Sequence, residues 1–282
     1  MAAGYDFSAP GPSISATMYI MSNKKDAQMG GAQPGAEALL RLQDIRVQWP
    51  PLPAVIDGLE LQLRPGEFTA ILGPSGCGKS TLLRVMAGLQ RVTHGHLERS
   101  TDAQAFVFQE PTLMPWATVE ENVWLPLRLQ GLSRAQVKSR IQGVLQRVGL
   151  ADRAQAYPHE LSGGMKMRTS IARALVTQPE LLLMDEPFAA LDDITRNRLN
   201  EDLSRWWQQQ SFACAFVTHN VSEAVWLSQR VVVMSAHPGR VRDVIEVEAP
   251  FPRPVDFRDS AAFHELCARA RRSLEQVSEV AE

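Results

Sequence analysis

The residues Gly73-Pro74-Ser75-Gly76-Cys77-Gly78-Lys79-Ser80-Thr81 place glycines, a lysine and paired hydroxyls at the spacing G-x-x-x-x-G-K-[ST]. Glycines let a backbone turn tightly and approach a ligand closely. N–H groups at the start of a helix then point at an anion, and the helix dipole adds favourable charge. The chemistry this suits is the holding of a polyphosphate, with Lys79 reaching the β- and γ-phosphates and Ser80 offering its hydroxyl to Mg²⁺. A second group of chemical residues is Asp185-Glu186, two acids at the end of the apolar run Leu181–Met184. Successive strand residues point to opposite sides, so the two carboxylates are free to take different roles. Asp185 is suited to hold Mg²⁺, and Glu186 to orient and polarise an attacking water. A third is Leu161-Ser162-Gly163-Gly164-Met165, ahead of a helical run to Leu175, where Ser162 and the glycines make another anion-binding helix start.

These residues need elements to carry them. Phe68–Leu72 reads as a short buried strand before the loop, and Leu82–Gly88 as the helix after it. Leu39–Val47 alternates as a half-buried strand, and Val55–Leu63 is a second strand ended by the turn Arg64-Pro65-Gly66-Glu67. Phe106-Val107-Phe108 is another short strand. Ser133 with Gln136 forms a capping box for a helix carrying Val137, Ile141, Val144, Leu145 and Val148 on one stripe and stopping at Gly149. Leu181–Met184 and Ala213–Thr218 are continuous apolar runs, as central parallel strands buried on both faces require. Strands alternating with helices predict an α/β fold with a mainly parallel sheet. Residues 1–37, rich in Ala, Gly, Ser and Pro, read as a disordered tail.

Composition narrows the class. The chain has 282 residues, 45% hydrophobic and 21% charged, which is ordinary for a globular protein with a substantial core. A net charge of −2 is nearly balanced and gives no argument for general binding to nucleic acid or anionic lipid, and no nucleic-acid partner is expected. Cys77, Cys214 and Cys267 are scattered without metal-ligand spacing, and an odd, sparse set fits a reducing cytoplasm. No apolar run approaches the ~20 residues that cross a bilayer, and no secretory signal is apparent.

Two anion-binding helix starts in one chain pose a puzzle, since one nucleotide has one γ-phosphate. Taken together, these motifs resemble the ATP-binding subunits of ABC transporters. The resemblance runs from about residue 39 to 248 and implies a P-loop NTPase (RecA-like) core. To that core it adds an antiparallel β subdomain and an α-helical signature subdomain at about 111–164. It also resolves the puzzle: in that family the signature loop closes over ATP held by a second copy, so Ser162, Gly163, Gly164 and Asp192 act in trans. Gln109 resembles the glutamine that contacts Mg²⁺, and His219 the switch histidine that contacts the γ-phosphate. Trp49 stands where an upstream aromatic stacks on adenine, with strand packing as the alternative. Met165 departs from the usual signature glutamine and Asn220 from the usual aspartate, but neither removes a catalytic group.

The resemblance also implies partners. No membrane domain is fused, which suits an importer subunit working with separate multispanning permease subunits, a solute-binding protein and a cytoplasmic position on the membrane. Leu113–Val123 resembles the segment that receives a coupling helix from the permease, with Met114 and Trp116 in an apolar socket there or, alternatively, packed within the helical subdomain. Leu113-Met114-Pro115-Trp116, Phe188–Arg196 and His237–Val241 look most like the nitrate/sulfonate/taurine importer group, which has relatives importing aromatic or thiamin-precursor compounds. The alternative is a soluble regulatory or assembly ATPase, which would bring no permease with it on purification. Residues 249–282 read as a linker followed by an amphipathic helix with Phe263, Leu266, Cys267, Ala270 and Leu274 on one face.

Overall fold

The structure is a computed structural model that describes residues 38–254 and 256–279. The tail expected over residues 1–37 lies outside the described residues. In chain order the strands are β1 (Leu40–Val47), β2 (Ile56–Leu63), β3 (Phe68–Leu72), β4 (His94–Arg99) and β5 (Gln104–Val107), then β6 (Leu181–Asp185), β7 (Ala213–Val217), β8 (Arg230–Met234) and β9 (Val241–Glu246). The helices are α1 (Lys79–Met86), α2 (Val119–Leu129), α3 (Arg134–Arg147), α4 (Gly163–Leu175), α5 (Asp193–Gln210), α6 (Val221–Leu227) and α7 (Ala261–Glu279).

A six-stranded sheet has the order β5-β6-β7-β3-β8-β9, parallel except for β9 against β8. Every residue of β3, β6 and β7 is buried, which is why these strands read as unbroken apolar runs. Their side chains alternate between two cores. Phe68, Ala70 and Leu72 of β3 join one with Leu182, Met184, Cys214 and Phe216. Ile71 joins the other with Leu181, Leu183, Ala215 and Val217. A three-stranded antiparallel sheet, β2-β1-β4, and α1 cover this second face. Leu40, Leu42, Ile45 and Val47 of β1 supply its buried side. The alternation expected over Leu39–Val47 breaks between Leu42 and Ile45, where the register shifts and Asp44 takes φ 48°, so that Ile45 and Val47 are also turned inward.

Helices cover the first face. α2 starts at Thr118, whose hydroxyl accepts from Glu121 N–H while the Glu121 carboxylate accepts from Thr118 N–H, closing a capping box. α3 begins at the predicted Ser133, whose N–H donates to Gln136 Oε1 at 2.8 Å, and its chain turns off at Gly149 with φ 70°. α4 packs against both α2 and α3 and also against β5, so it joins the helical layer to the sheet.

The last segment is also fastened to this core. α7 lies on α6, β8 and β9 with Phe263, Cys267 and Ala270 buried. The Pro-rich stretch before it is pinned by Arg253, itself buried. Arg253 Nε donates to Trp226 O at 3.0 Å, its other nitrogens donate to Ala249 O and Ser228 O, and its guanidinium sits 3.8 Å from the Phe251 ring centroid. Burial without a facing acid lowers its pKa to about 10.

Candidate nucleotide site

Parallel register decides what meets at the sheet's C-terminal edge. Val107 lies opposite Met184, Asp185 opposite Val217, and Ile71 opposite Val217. The chain leaving β3, β5, β6 and β7 therefore carries Gly73, Gln109, Glu186 and His219 past one edge of the sheet, where open α/β sheets place their ligands.

The loop from Gly73 to Gly78 ends in a left-handed turn at Gly78, φ 98°, which caps α1. A Cβ there would sit 3.1 Å from Val55 Cγ1, so both conformation and space demand glycine. Nothing lies within 4 Å of where a Cβ of Gly76 would sit, leaving the loop open beside it. Lys79 is buried and its Nζ donates to Gly73 O at 2.8 Å and Pro74 O at 2.9 Å. The same ammonium stands 4.0 Å from Glu186 Oε1. Glu186 Oε2 in turn lies 3.1 Å from His219 Nδ1. Glu186 thus joins the loop lysine to the histidine of a neighbouring strand, and it does so at φ 45°, a left-handed conformation that a non-glycine residue holds only at a cost.

Ser80 Oγ donates to Asp185 Oδ1 at 2.9 Å. Burial raises the Asp185 pKa, and only in part is that offset by this hydrogen bond. An incompletely compensated carboxylate beside a hydroxyl is a hard-oxygen pair suited to a divalent cation shared with phosphate. Cys77 is buried in the loop, and desolvation raises its thiol pKa although Lys79 opposes the shift.

The second group of predicted residues forms its own cluster. Ser162 caps α4, its hydroxyl accepting from Met165 N–H at 3.3 Å. Met165, the departure from the usual signature, therefore meets the cap through its backbone. Asp192 caps α5 by accepting from Thr195 N–H at 3.0 Å, and that bond lowers its carboxyl pKa. The two caps are neighbours: a Cβ on Gly164 would lie 2.8 Å from Thr195 Cγ2, and one on Gly163 3.5 Å from Leu191 Cδ2. Ser162, Gly163 and Asp192 face solvent.

Gln109 and Trp49 are exposed. Trp49 stands beyond the end of β1, in the connection to β2 that ends at Val55 and Ile56 against Gly78. The strand-packing alternative does not describe it. Glu223 lies in the first turn of α6, which Asn220 caps. It is buried, and burial raises its pKa. Glu223 Oε2 accepts from Thr218 Oγ1 at 2.5 Å, and Thr218 Oγ1 accepts from Asn220 N–H at 3.0 Å. These bonds brace the turn that carries His219 from both sides. The spacing Thr-His-Asn-x-x-Glu was the available signal, but it reads equally as an ordinary cap.

Comparison with known proteins agrees with this geometry. The ABC transporter family profile matches residues 56–189. An aliphatic sulfonates import ATP-binding protein, SsuB, of Bacillus cereus is 42% identical over 228 residues, spanning 78% of this chain and 88% of the relative. SsuB 1 of Mesorhizobium japonicum is 47% identical over 206 residues, 71% of this chain and 76% of the relative. The dimeric, post-hydrolysis structure of the ATP-binding cassette MJ0796 with ADP and Pi superposes with a TM-score of 0.65 at 28% identity, covering 74% of this chain and 99% of that one. With the loop, the paired acids and the histidine joined at one sheet edge, the chain belongs to the ATP-binding proteins of the ABC transporter family.

Proposed function

We propose that this chain is the ATP-hydrolysing subunit of an importer for a sulfonate or a similar small solute. Two copies act together with separate permease subunits on the cytoplasmic face of the membrane, and a solute-binding protein delivers the cargo. The support that weighs most is the junction of Lys79, Glu186 and His219 beside the Ser80–Asp185 pair, in a chain whose relatives are named for sulfonate import. Among the described residues no helix is long and apolar enough to cross a membrane, as a peripheral subunit requires.

The triphosphate of ATP lies against the loop Gly73–Thr81 and the N-terminus of α1. Lys79 exchanges its two loop carbonyls for phosphate oxygens, a stronger, charge-assisted pairing. Ser80, Asp185 and Gln109 would hold Mg²⁺, which when bound neutralises phosphate charge and keeps the phosphates in line. Glu186 releases Lys79, accepts a hydrogen bond from the attacking water and polarises it. His219, held by Thr218 and Glu223, donates to the γ-phosphate. Trp49 is placed to stack on adenine. The exposed Ser162, Gly163 and Asp192, with the buried Gly164 beside them, serve the partner's nucleotide, so two copies make two sites. Trp116, 76% exposed, offers an apolar contact to the permease together with the half-buried Met114.

Phosphate release by the purified chain tests the assignment. Glu186→Gln should retain ATP binding, accumulate a closed dimer on size exclusion, and lower turnover by ~10²–10⁴. Full turnover in that variant would remove Glu186 from its role.

A further inference from the structure

A cavity of about 620 Å³ opens at the edge of the sheet opposite the phosphate loop. β3 begins at Phe68, close along the chain to Gly66 in the cavity wall, and ends at Leu72 before the loop, so about 17 Å of strand separates the two. Glu180 and Phe212, also in the wall, immediately precede β6 and β7. The facing wall is one side of α3, carrying Arg140, Gly143 and Arg147.

Three features of this wall call for a ligand. First, the two guanidiniums have no ion-pair partner among the described residues, and Glu180, the acid of the wall, pairs with neither. Second, Arg140 Nε and Gln210 Nε2 are buried donors without an acceptor, which folded proteins rarely tolerate. Third, Gly143 sits inside α3, where glycine is among the poorest helix formers, yet nothing lies within 4 Å of where its Cβ would stand. Gly143 is exposed where it lines the cavity, so a larger residue there would narrow the cavity from its open side. Leu39, Leu175 and Phe212 make the lining partly apolar.

We propose that this cavity binds a small organic anion, its carboxylate or sulfonate head between Arg140 and Arg147 and its alkyl body against Leu39, Leu175 and Phe212. The volume falls in the range of small-molecule sites. A planar guanidinium fork suits oxyanion heads, and a negative head supplies the acceptor and counter-charge that the wall lacks. Burial without a neighbouring acid already lowers the Arg140 pKa, which an anion would reverse. Since the cavity and the phosphate loop lie at opposite ends of β3, the anion and ATP bind together. The ligand would also bridge α3 and the strand starts of the sheet.

Isothermal titration of hexanesulfonate and hexanoate into the full chain, saturated with a non-hydrolysable ATP analogue, tests this site. Saturable one-site binding of either anion is expected, with hexanol at least ~10-fold weaker. The double change Arg140→Gln and Arg147→Gln should weaken anion binding at least ~10-fold while leaving affinity for the ATP analogue unchanged. Gly143→Leu should fill the cavity and abolish anion binding while the protein melts no lower. No saturable binding of either anion, equal binding of hexanol, undiminished binding in either variant, or displacement by the ATP analogue overturns the assignment.

Discussion

At the scale of single residues, the candidate site at the sheet's C-terminal edge is a set of closely placed charges. Lys79 is occupied by two carbonyls and Glu186, while Asp185 is buried with only Ser80 and weaker cationic influences to compensate it. Its raised pKa means that the fold binds the Asp185 proton more tightly than the unfolded chain does. Stability therefore falls as pH rises from the ordinary carboxylate range to the raised value, and the full penalty persists above it. Asp185→Asn should accordingly raise the melting temperature of the nucleotide-free protein at neutral pH, with the gain narrowing as pH is lowered toward ~4, while Mg-dependent turnover is lost. An unchanged or lower melting temperature at neutral pH would show that the carboxylate is already compensated. Cys77 illustrates the reverse case of a reactive residue type made inert by place. Its position in the loop suggests a thiol reagent that blocks ATP, but burial suppresses the thiolate. Labelling of Cys77 should be at least ~10-fold slower than that of a free thiol at the same pH, and slower again with ATP bound, as read by mass spectrometry.

At the scale of elements, short helices are held by caps that also position chemistry. Asn220 accepts from Glu223 N–H at 3.1 Å and starts α6 one residue after His219. Asn220→Ala should cost about 1 kcal/mol, lowering the melting temperature by roughly 2–4 °C, and should reduce turnover because the His219 turn loosens. Asn220→Asp keeps the cap and should keep both, so a loss in that variant would mean that Asn220 serves something beyond capping. Much of this level was legible beforehand: the start of α3 at Ser133–Gln136, its stop at Gly149 and the buried runs of β3, β6 and β7 depend on neighbours in the chain. β4 was not. His-Gly-His-Leu-Glu-Arg has no apolar alternation, and it is a strand because β1 offers it a partner, with Leu42 opposite Leu97. The Pro-rich stretch that reads as a linker is likewise held by Arg253, whose acceptors include Trp226 O at the end of α6.

At the scale of the whole molecule, the described residues present three candidate functional faces besides the cavity beside α3. The sheet's C-terminal edge gathers Lys79, Glu186 and His219, which we propose carry out hydrolysis, and Ser162 and Asp192, which we propose serve a second copy, are exposed. Trp116 is the most exposed aromatic among the described residues. Trp116→Ala should leave the melting temperature and turnover of the isolated subunit almost unchanged, within about 0.5 kcal/mol. Recovery of permease subunits in detergent pull-downs should fall at least ~10-fold. Undiminished recovery would assign Trp116 to another surface.

The sequence by itself determined the phosphate loop, the paired acids after a buried strand and the capped starts of the helices. Each is written in residues close along the chain, and local backbone geometry is enough to realise them. Only the tertiary structure decided that Lys79, Glu186 and His219 touch, since that depends on β6, β7 and β3 lying side by side in parallel register. It also decided that Glu223 and Arg253 are buried supports and that Arg140 and Arg147 line a cavity without pairing to an acid. Burial and unpaired donors are properties of what packs around a residue, and no spacing along the chain records them.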